Sequence, residues 1–271
     1  MRVSLVCEPG DPARPNEDFA AASHQVALVL DGAGLPPELD TGCVHGVAWY
    51  VGALGPRLLA RASDPALSLA GALRAAIAEV ATLHAGSCDL SRPATPSATA
   101  AVLRERGGTV DYLVLCDSVV LLEHTDGAVA AVTDDRLERI AARVRAAAAQ
   151  YPPGSPEHTG ARAEGGRELL RLRNAEDGFW VAAARPEAAD RAVTGSLPAG
   201  ALRRATLLTD GAGRLHEWGL LSWTGVQAAV ARSGPAALVA AVRAAEAADA
   251  DRTRHPRGKR CDDATVAACE L

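Results

Sequence analysis

At 271 residues, with 33 Asp and Glu against 28 Lys and Arg and a net charge of −5, the chain has room for one large domain or two small ones. Its arginines are scattered without a basic stripe, which argues against a nucleic-acid binder. Apolar content of 48%, in runs too short to span a bilayer, describes an ordinary self-sufficient core.

Val3 to Cys7 reads as a first strand, followed by a Gly/Pro-rich turn from Pro9 to Pro15. Gln25 to Leu30 is a second strand, almost wholly apolar and therefore buried on both faces, and it delivers Asp31 to its C-terminal end. After a Gly/Pro loop at 32–37, Cys43 to Ala62 has apolar residues at helical spacing, and a second helix is expected from Pro65 to Ala85, capped by Ser63 or Asp64. The pair should cover one sheet.

Residues 97–133 divide into Ser97 to Arg104, Tyr112 to Leu122 and Ala128 to Val132, joined by Gly107-Gly108 and Asp126-Gly127, and read as an antiparallel meander with Asp117 inside it. Leu137 to Gln150 is a helix, ended by Tyr151-Pro152-Pro153-Gly154. The polar stretch from there to about Gly178 has weak periodicity and reads as the least ordered part. Strands Phe179 to Ala184 and Arg203 to Thr209, helices Ser222 to Ala231 and Pro235 to Ala248, and a last strand Ala264 to Cys269 complete the chain. Helices paired between clustered strands indicate an α+β layered fold and not alternating βαβ units.

Short acidic motifs stand beside these strands: Asn16-Glu17-Asp18, Asp31-Gly32, Cys116-Asp117-Ser118, Thr209-Asp210-Gly211 and Asp262-Asp263-Ala264-Thr265. Gathered carboxylates repel one another and must be protonated or neutralised by a cation. Oxygen-only ligands suit Mg²⁺ or Mn²⁺ and fit poorly with Zn²⁺, which prefers His and Cys. Cysteines 7, 43, 88, 116, 261 and 269 include no C-x-x-C pair, and no charged-then-apolar leader opens the chain. The expectation is a cytoplasmic, reduced protein without disulfides.

In order and spacing these motifs resemble those of the PP2C-like (PPM) metal-dependent protein serine/threonine phosphatases, as a divergent bacterial, actinobacterial-type member. The segments are Arg14-Pro15-Asn16-Glu17-Asp18, Val29-Leu30-Asp31-Gly32-Ala33-Gly34, Pro96-Ser97-Ala98-Thr99-Ala100, Leu115-Cys116-Asp117-Ser118, Leu208-Thr209-Asp210-Gly211 and Cys261-Asp262-Asp263-Ala264-Thr265. The resemblance implies a four-layer αββα sandwich, two antiparallel sheets flanked by helix pairs, as one phosphatase domain over residues 1–271 with a flap at about 150–178. It implies two Mg²⁺ or Mn²⁺ ions and a third, weaker one. Asp31 would bridge two metals, the Gly32 carbonyl would bind one, and Asp210 and Asp262 would complete the other. Asp18 and Glu17 would hold metal-bound waters and Asp117 would serve the third ion. Water bridging the two ions, not a side chain, would attack the phosphorus.

Arg14 carries the guanidinium suited to a phosphate monoester, although it stands three residues before Glu17 where bacterial relatives have four. Cys116 replaces the family's usual Gly, and Ala33 stands where some relatives have a histidine proposed as general acid. His45 on the next helix could take that task, though a helix histidine is ordinarily a packing or surface residue. Outside the motifs, Asp111 and Asp126 read as turn residues and Trp180 as core. The basic run Arg254 to Arg260 reads as a solvated loop that could also attract phosphate. The expected substrate is a phosphorylated protein. A small phosphorylated metabolite and a pseudophosphatase acting as a binding module remain the alternatives, with a metal-dependent nuclease last. Neither nucleic acid nor membrane is an expected partner, and oligomeric state is left open.

Overall fold

The computed structural model describes residues 1–33, 40–152 and 154–271, so most of the Gly/Pro loop read at 32–37 lies outside the described residues. Two antiparallel five-stranded sheets lie face to face. The first orders β1 (Arg2–Glu8), β10 (Ala264–Glu270), β9 (Leu202–Leu208), β6 (Val119–His124) and β7 (Val129–Val132). In the second the order is β2 (Asp18–Ala22), β3 (Val26–Gly32), β4 (Ala98–Arg106), β5 (Thr109–Leu115) and β8 (Val193–Pro198).

Strand side chains alternate between faces, and in the central strands both faces are dry. Along β3, Val26, Leu28 and Leu30 enter the core under helices α1 (Val47–Ala62) and α2 (Leu69–His84), while Ala27 and Val29 enter the core between the sheets. On the other sheet, Val119 and Leu121 of β6 pack under α5 (Asp210–Glu217), α6 (Trp223–Ser233) and α7 (Pro235–Ala248), while Val120 and Leu122 face the sister sheet. The layers are therefore helix, sheet, sheet, helix, as expected from the sequence.

Several local expectations are corrected. Tyr112 to Leu122 is not one strand of a meander: β5 ends at Leu115, the chain crosses through Cys116 to Ser118, and β6 begins in the other sheet. A continuous apolar run hid the break, because both strands are buried on both faces. The stretch after 154 is largely helix α4 (Pro156–Leu172), following α3 (Arg136–Ala148). Its start was written in Ser155-Pro156, since Ser155 Oγ accepts from His158 N at 3.1 Å. Its Gly and charge content obscured the rest. Gly165 lets α4 press on α3, where an added Cβ would lie 2.1 Å from Val144 Cγ1.

Phe179 to Ala184 is no regular strand and makes isolated bridges, Phe179 to Arg173 and Ala182 to Ala98. Strands β2 and β8 and helix α5 escaped the sequence reading because they are short, Ala-rich or exposed at an edge. Helix α2 starts later than expected, with Ser68 Oγ accepting from Gly71 N at 3.0 Å, while Asp64 caps a preceding turn through Ala66 N at 2.8 Å. Helix α1 also starts later, at Val47, after Gly46 at φ 80. Among the described residues no helix is long and apolar enough to cross a membrane.

Candidate active site

Sheet register brings the first two carboxyls together. Strand β2 runs antiparallel to β3 with Asp18 opposite Asp31, and β4 places Thr99 opposite Asp31 on the other side. The other sheet contributes through Thr209, whose Oγ1 donates to Asp18 Oδ2 at 2.9 Å and accepts from Thr265 N at 3.0 Å. One buried hydroxyl thus ties β2, the end of β9 and the start of β10. Asp210 opens α5, and its backbone N approaches Asp31 Oδ2 at 3.4 Å.

Asp117 arrives by the crossover from β5 to β6, which is locked to β4 by a 2.6 Å hydrogen bond between Ser118 Oγ and Thr99 Oγ1. Cys116 takes φ 67, the left-handed region where a Cβ is strained. The chain therefore keeps the conformation that a glycine would adopt freely, and the buried thiol packs against Ile140, Leu172, Phe179 and Val181.

These carboxyls disturb one another. Burial, then the charges of Asp210 and Asp18, push Asp31 well above the ordinary carboxylate range. Asp117 is raised to about 7 by burial and then by Asp210. Asp18 is also raised to about 7 by burial, against the hydrogen bonds of Thr265 and Thr209 that favour its charged form. Asp210 reaches solvent at one edge, yet the protein packed around its carboxyl and then the charge of Asp262 raise it. Among the described residues, none of Asp18, Asp31, Asp117 and Asp210 has a Lys or Arg in ion-pair contact.

Asp262 differs, because cations already hold it: Lys259 Nζ donates to Oδ1 at 2.7 Å and Arg214 Nη2 to Oδ2 at 3.0 Å. Arg214 in turn pairs with the buried Glu246. Asp263 is a brace, accepting from Gly10 N at 2.8 Å and Glu17 N at 2.7 Å. Glu17 lies 3.9 Å from Lys259 and is raised by burial, with Lys259 opposing. The sequence reading passed over the hydroxyl of Thr209, the cations Arg214 and Lys259, and the bracing part of Asp263. The first and last stand inside motifs already quoted, and Lys259 inside the basic run, so adjacency was the available signal.

The two Asp-Gly pairs are glycine-bearing for a steric reason. A Cβ on Gly32 would sit 2.4 Å from Val47 Cγ1 and 2.5 Å from the Glu17 carbonyl oxygen. One on Gly211 would sit 2.0 Å from the Asp263 carbonyl oxygen. Backbone from several elements closes on the carboxyls here, and only glycine leaves room.

Arg14 is exposed and lines a cavity of about 520 Å³ with Glu17, Lys259, Arg260 and Asp263. His45 is elsewhere in contact: its Nδ1 lies 3.3 Å from Cys88 Sγ and 3.7 Å from Cys43 Sγ. Asp126 is the turn residue expected, accepting from Ala128 N at 2.9 Å, whereas Asp111 sits in β5 and pairs with Arg104 at 2.9 Å. Trp180 is buried in the core, as expected.

The donor set fits hard divalent cations. It offers carboxylate and carbonyl oxygens only, crowded so that ionisation is disfavoured until positive charge arrives.

A family model described as protein phosphatase 2C matches residues 13–219. A search of curated proteins finds no match. Among solved structures, the serine/threonine phosphatase PstP/Ppp of Mycobacterium tuberculosis is 16% identical, covers 100% of this chain and 98% of its own, and superposes with a TM-score of 0.60. The catalytic domain of PstP in complex with 2 manganese ions is 16% identical over 99% of this chain and 97% of its own, with a TM-score of 0.56. The serine/threonine phosphatase of S. agalactiae is 14% identical, covers 100% and 99%, and gives a TM-score of 0.60. At these identities the structural matches speak to the fold, and the matched family model speaks to descent.

Proposed function

Because the chain belongs to the protein phosphatase 2C family of metal-dependent serine/threonine phosphatases, a phosphoric monoester hydrolase, we propose that Asp31, Asp210 and Asp262 with the Gly32 carbonyl hold its metal pair. The observation that carries the reading is the meeting of Asp18 and Asp31 in strand register, with the backbone of Asp210 against Asp31. Three motifs remote in sequence converge where the two sheets end.

Mg²⁺ or Mn²⁺ bound here supplies the positive charge that acidifies water and stabilises an in-line phosphoryl transition state. The chain's own groups do the rest. Asp18, held by Thr209, and Glu17, held through its backbone by Asp263, orient water at the rim of the carboxyl group. Asp117 supports a third, weaker cation. Arg14 projects into the cavity beside Lys259 and binds the phosphate dianion, in keeping with its exposure and its freedom from ion pairing among the described residues. Asp262 would hold a metal in place of its contact with Lys259, and the ammonium would then be available to the phosphate. The substrate is a phosphoserine or phosphothreonine of a protein, the leaving group protonated from solvent.

The test is hydrolysis of phosphoserine and phosphothreonine peptides and of para-nitrophenyl phosphate with added Mg²⁺ or Mn²⁺, for the chain and for Asp31→Asn. Metal-dependent turnover abolished by the substitution is expected. Turnover of small phosphorylated metabolites without peptides would overturn the substrate, and activity retained in Asp31→Asn would overturn the ligand assignment.

A further inference from the structure

A second group of ligating side chains lies outside the carboxyl site. Cys43 and His45 stand in the segment leading into α1, His84 is the last residue of α2, and Cys88 follows in the turn after it. That turn is closed by Ser87 N and Cys88 N, both donating to the His84 carbonyl at 3.1 and 2.9 Å, which folds Cys88 back toward the helix end. The two segments are fastened by Asp89 N donating to the Gly42 carbonyl at 2.8 Å and by an Arg92–Asp40 ion pair at 3.2 Å.

One ligand atom from each of the four residues lies within 4.8 Å of all the others. Cys43 Sγ is 3.3 Å from Cys88 Sγ and 3.5 Å from His84 Nδ1, and Cys88 Sγ is 3.3 Å from His45 Nδ1. A tetrahedral zinc ion, with Zn–S of about 2.3 Å and Zn–N of about 2.0 Å, places its ligand atoms about 3.3–3.8 Å apart. The two sulfur–nitrogen contacts fall on such edges, the Sγ–Sγ contact is somewhat tighter, and a small adjustment of side chains brings all four atoms to the corners of one coordination tetrahedron. Room for a single ion, and none for the inorganic sulfide of an iron–sulfur cluster, favours zinc among the metals that take two thiolates and two imidazoles. The thiols are free in the structure.

The surroundings shelter the group on one side, with His84 buried and Cys43, His45 and Cys88 half-buried. His84 is 1% exposed, Trp49 stacks on the His45 ring at 4.1 Å between centroids, and Trp49 and Tyr50 both approach His84, at 5.1 and 6.5 Å. Trp49 thus covers the half-buried His45 ring, and Trp49 and Tyr50 enclose the buried His84 imidazole, which otherwise gains little from burial beside two thiols.

We infer that Cys43, His45, His84 and Cys88 form a structural zinc site that staples the segment before α1 to the end of α2. Four protein ligands leave no open position, so the ion is structural and takes no part in hydrolysis. The staple anchors the first turn of α1, whose Val47 packs onto Gly32 beside Asp31, and so holds one wall of the carboxyl site from outside it. The sequence signature is C-x-H followed by H-x₃-C, brought together by the packing of α1 on α2 and by the Asp89–Gly42 and Arg92–Asp40 contacts.

The experiment is metal analysis of the full chain, reconstituted with zinc under reducing conditions and dialysed, alongside Asp31→Asn and the pair Cys43→Ser with Cys88→Ser. One zinc per chain is expected in the parent and in Asp31→Asn, and less than about a tenth of that in the double serine variant. X-ray absorption should show two sulfur neighbours at about 2.3 Å and two nitrogens at about 2.0 Å. Should the serine variant fail to fold, Co²⁺ titration of the parent decides: the visible bands of tetrahedral thiolate-bound cobalt, saturating at one equivalent, support the site. A folded parent that keeps no zinc and gives no such bands overturns it, as does a Cys43–Cys88 disulfide in the purified chain. Because Asp31→Asn is expected to lose hydrolysis and to keep its zinc, failure of this inference and failure of the phosphatase assignment are read separately.

Discussion

The carboxyl group at the sheet ends and the Cys/His group at the ends of α1 and α2 flank the same stretch of chain, yet they are built in opposite ways. The first gathers hard oxygen donors from β2, β3, the β5–β6 crossover, α5 and the segment before β10, and leaves Asp31 and Asp210 access to solvent. The second takes soft and borderline donors from two short segments and offers four of them to one ion, with Trp49 and Tyr50 enclosing His84. An open oxygen site must exchange substrate and can lose its ions. A closed sulfur and nitrogen site keeps its ion and stiffens the fold around the open one.

The sharpest way to break that division is Asp31→Asn, which should lower kcat/KM by at least about 10²-fold, beyond the 10–100-fold typical of groups one step removed from a metal. Zinc content should not change. If both fall together, the two groups are not independent.

Replacing Cys43 and Cys88 by Ser should act mainly on stability. Losing an ion present at about 1,000 times its dissociation constant costs about 4 kcal/mol, or about 8–16 °C in Tm for a chain of this size by calorimetry. Hydrolysis measured well below that Tm should survive in part, since the carboxyls are untouched.

The metal-free carboxyl site should also respond to pH. Asp18 and Asp117 titrate near 7 when folded and near 4 when unfolded, so the folded state binds more protons between those values. Stability is then fully present below about pH 4 and falls as pH rises through 7. Denaturant melts at pH 5 and pH 8 should show the loss, and added Mg²⁺ should remove it at pH 8, because the ion favours the charged carboxylates. Equal stability at both pH values would mean the carboxyls do not crowd one another.

Thr209→Val removes the hydroxyl shared by Asp18 and Thr265 N, and should cost about 1–3 kcal/mol by leaving buried groups unpaired. Because that hydroxyl favours the charged Asp18, its loss should also move the acid limb of the pH–rate profile upward. The smallest effect is expected at Cys116. Substitution by Gly relieves about 1 kcal/mol of left-handed strain while losing a buried thiol, so Cys116→Gly should be less destabilising than Cys116→Ala, which keeps the strain and loses the same contacts.

Much of this was legible along the chain. The almost wholly apolar run from Gln25 to Leu30 implied a strand buried on both faces, and the motif order implied the sandwich and its acidic end. What escaped were features whose signal is not local. Tyr112 to Leu122 looked continuous because a strand that changes sheets keeps its apolar character on both sides of the turn. Helix α4 was hidden by Gly and charge that its solvent face tolerates and its packing on α3 requires.

The sequence by itself determined which residues could be buried and which carboxyls stand at element ends, because periodicity and side-chain chemistry are properties of neighbours. Only the tertiary structure decided that Asp18 faces Asp31, that Lys259 reaches Asp262, and that Cys43 meets His84 from 41 positions away. Register between strands and the packing of α1 on α2 made those meetings, and both follow from how whole faces bury against one another, which no single stretch of chain records.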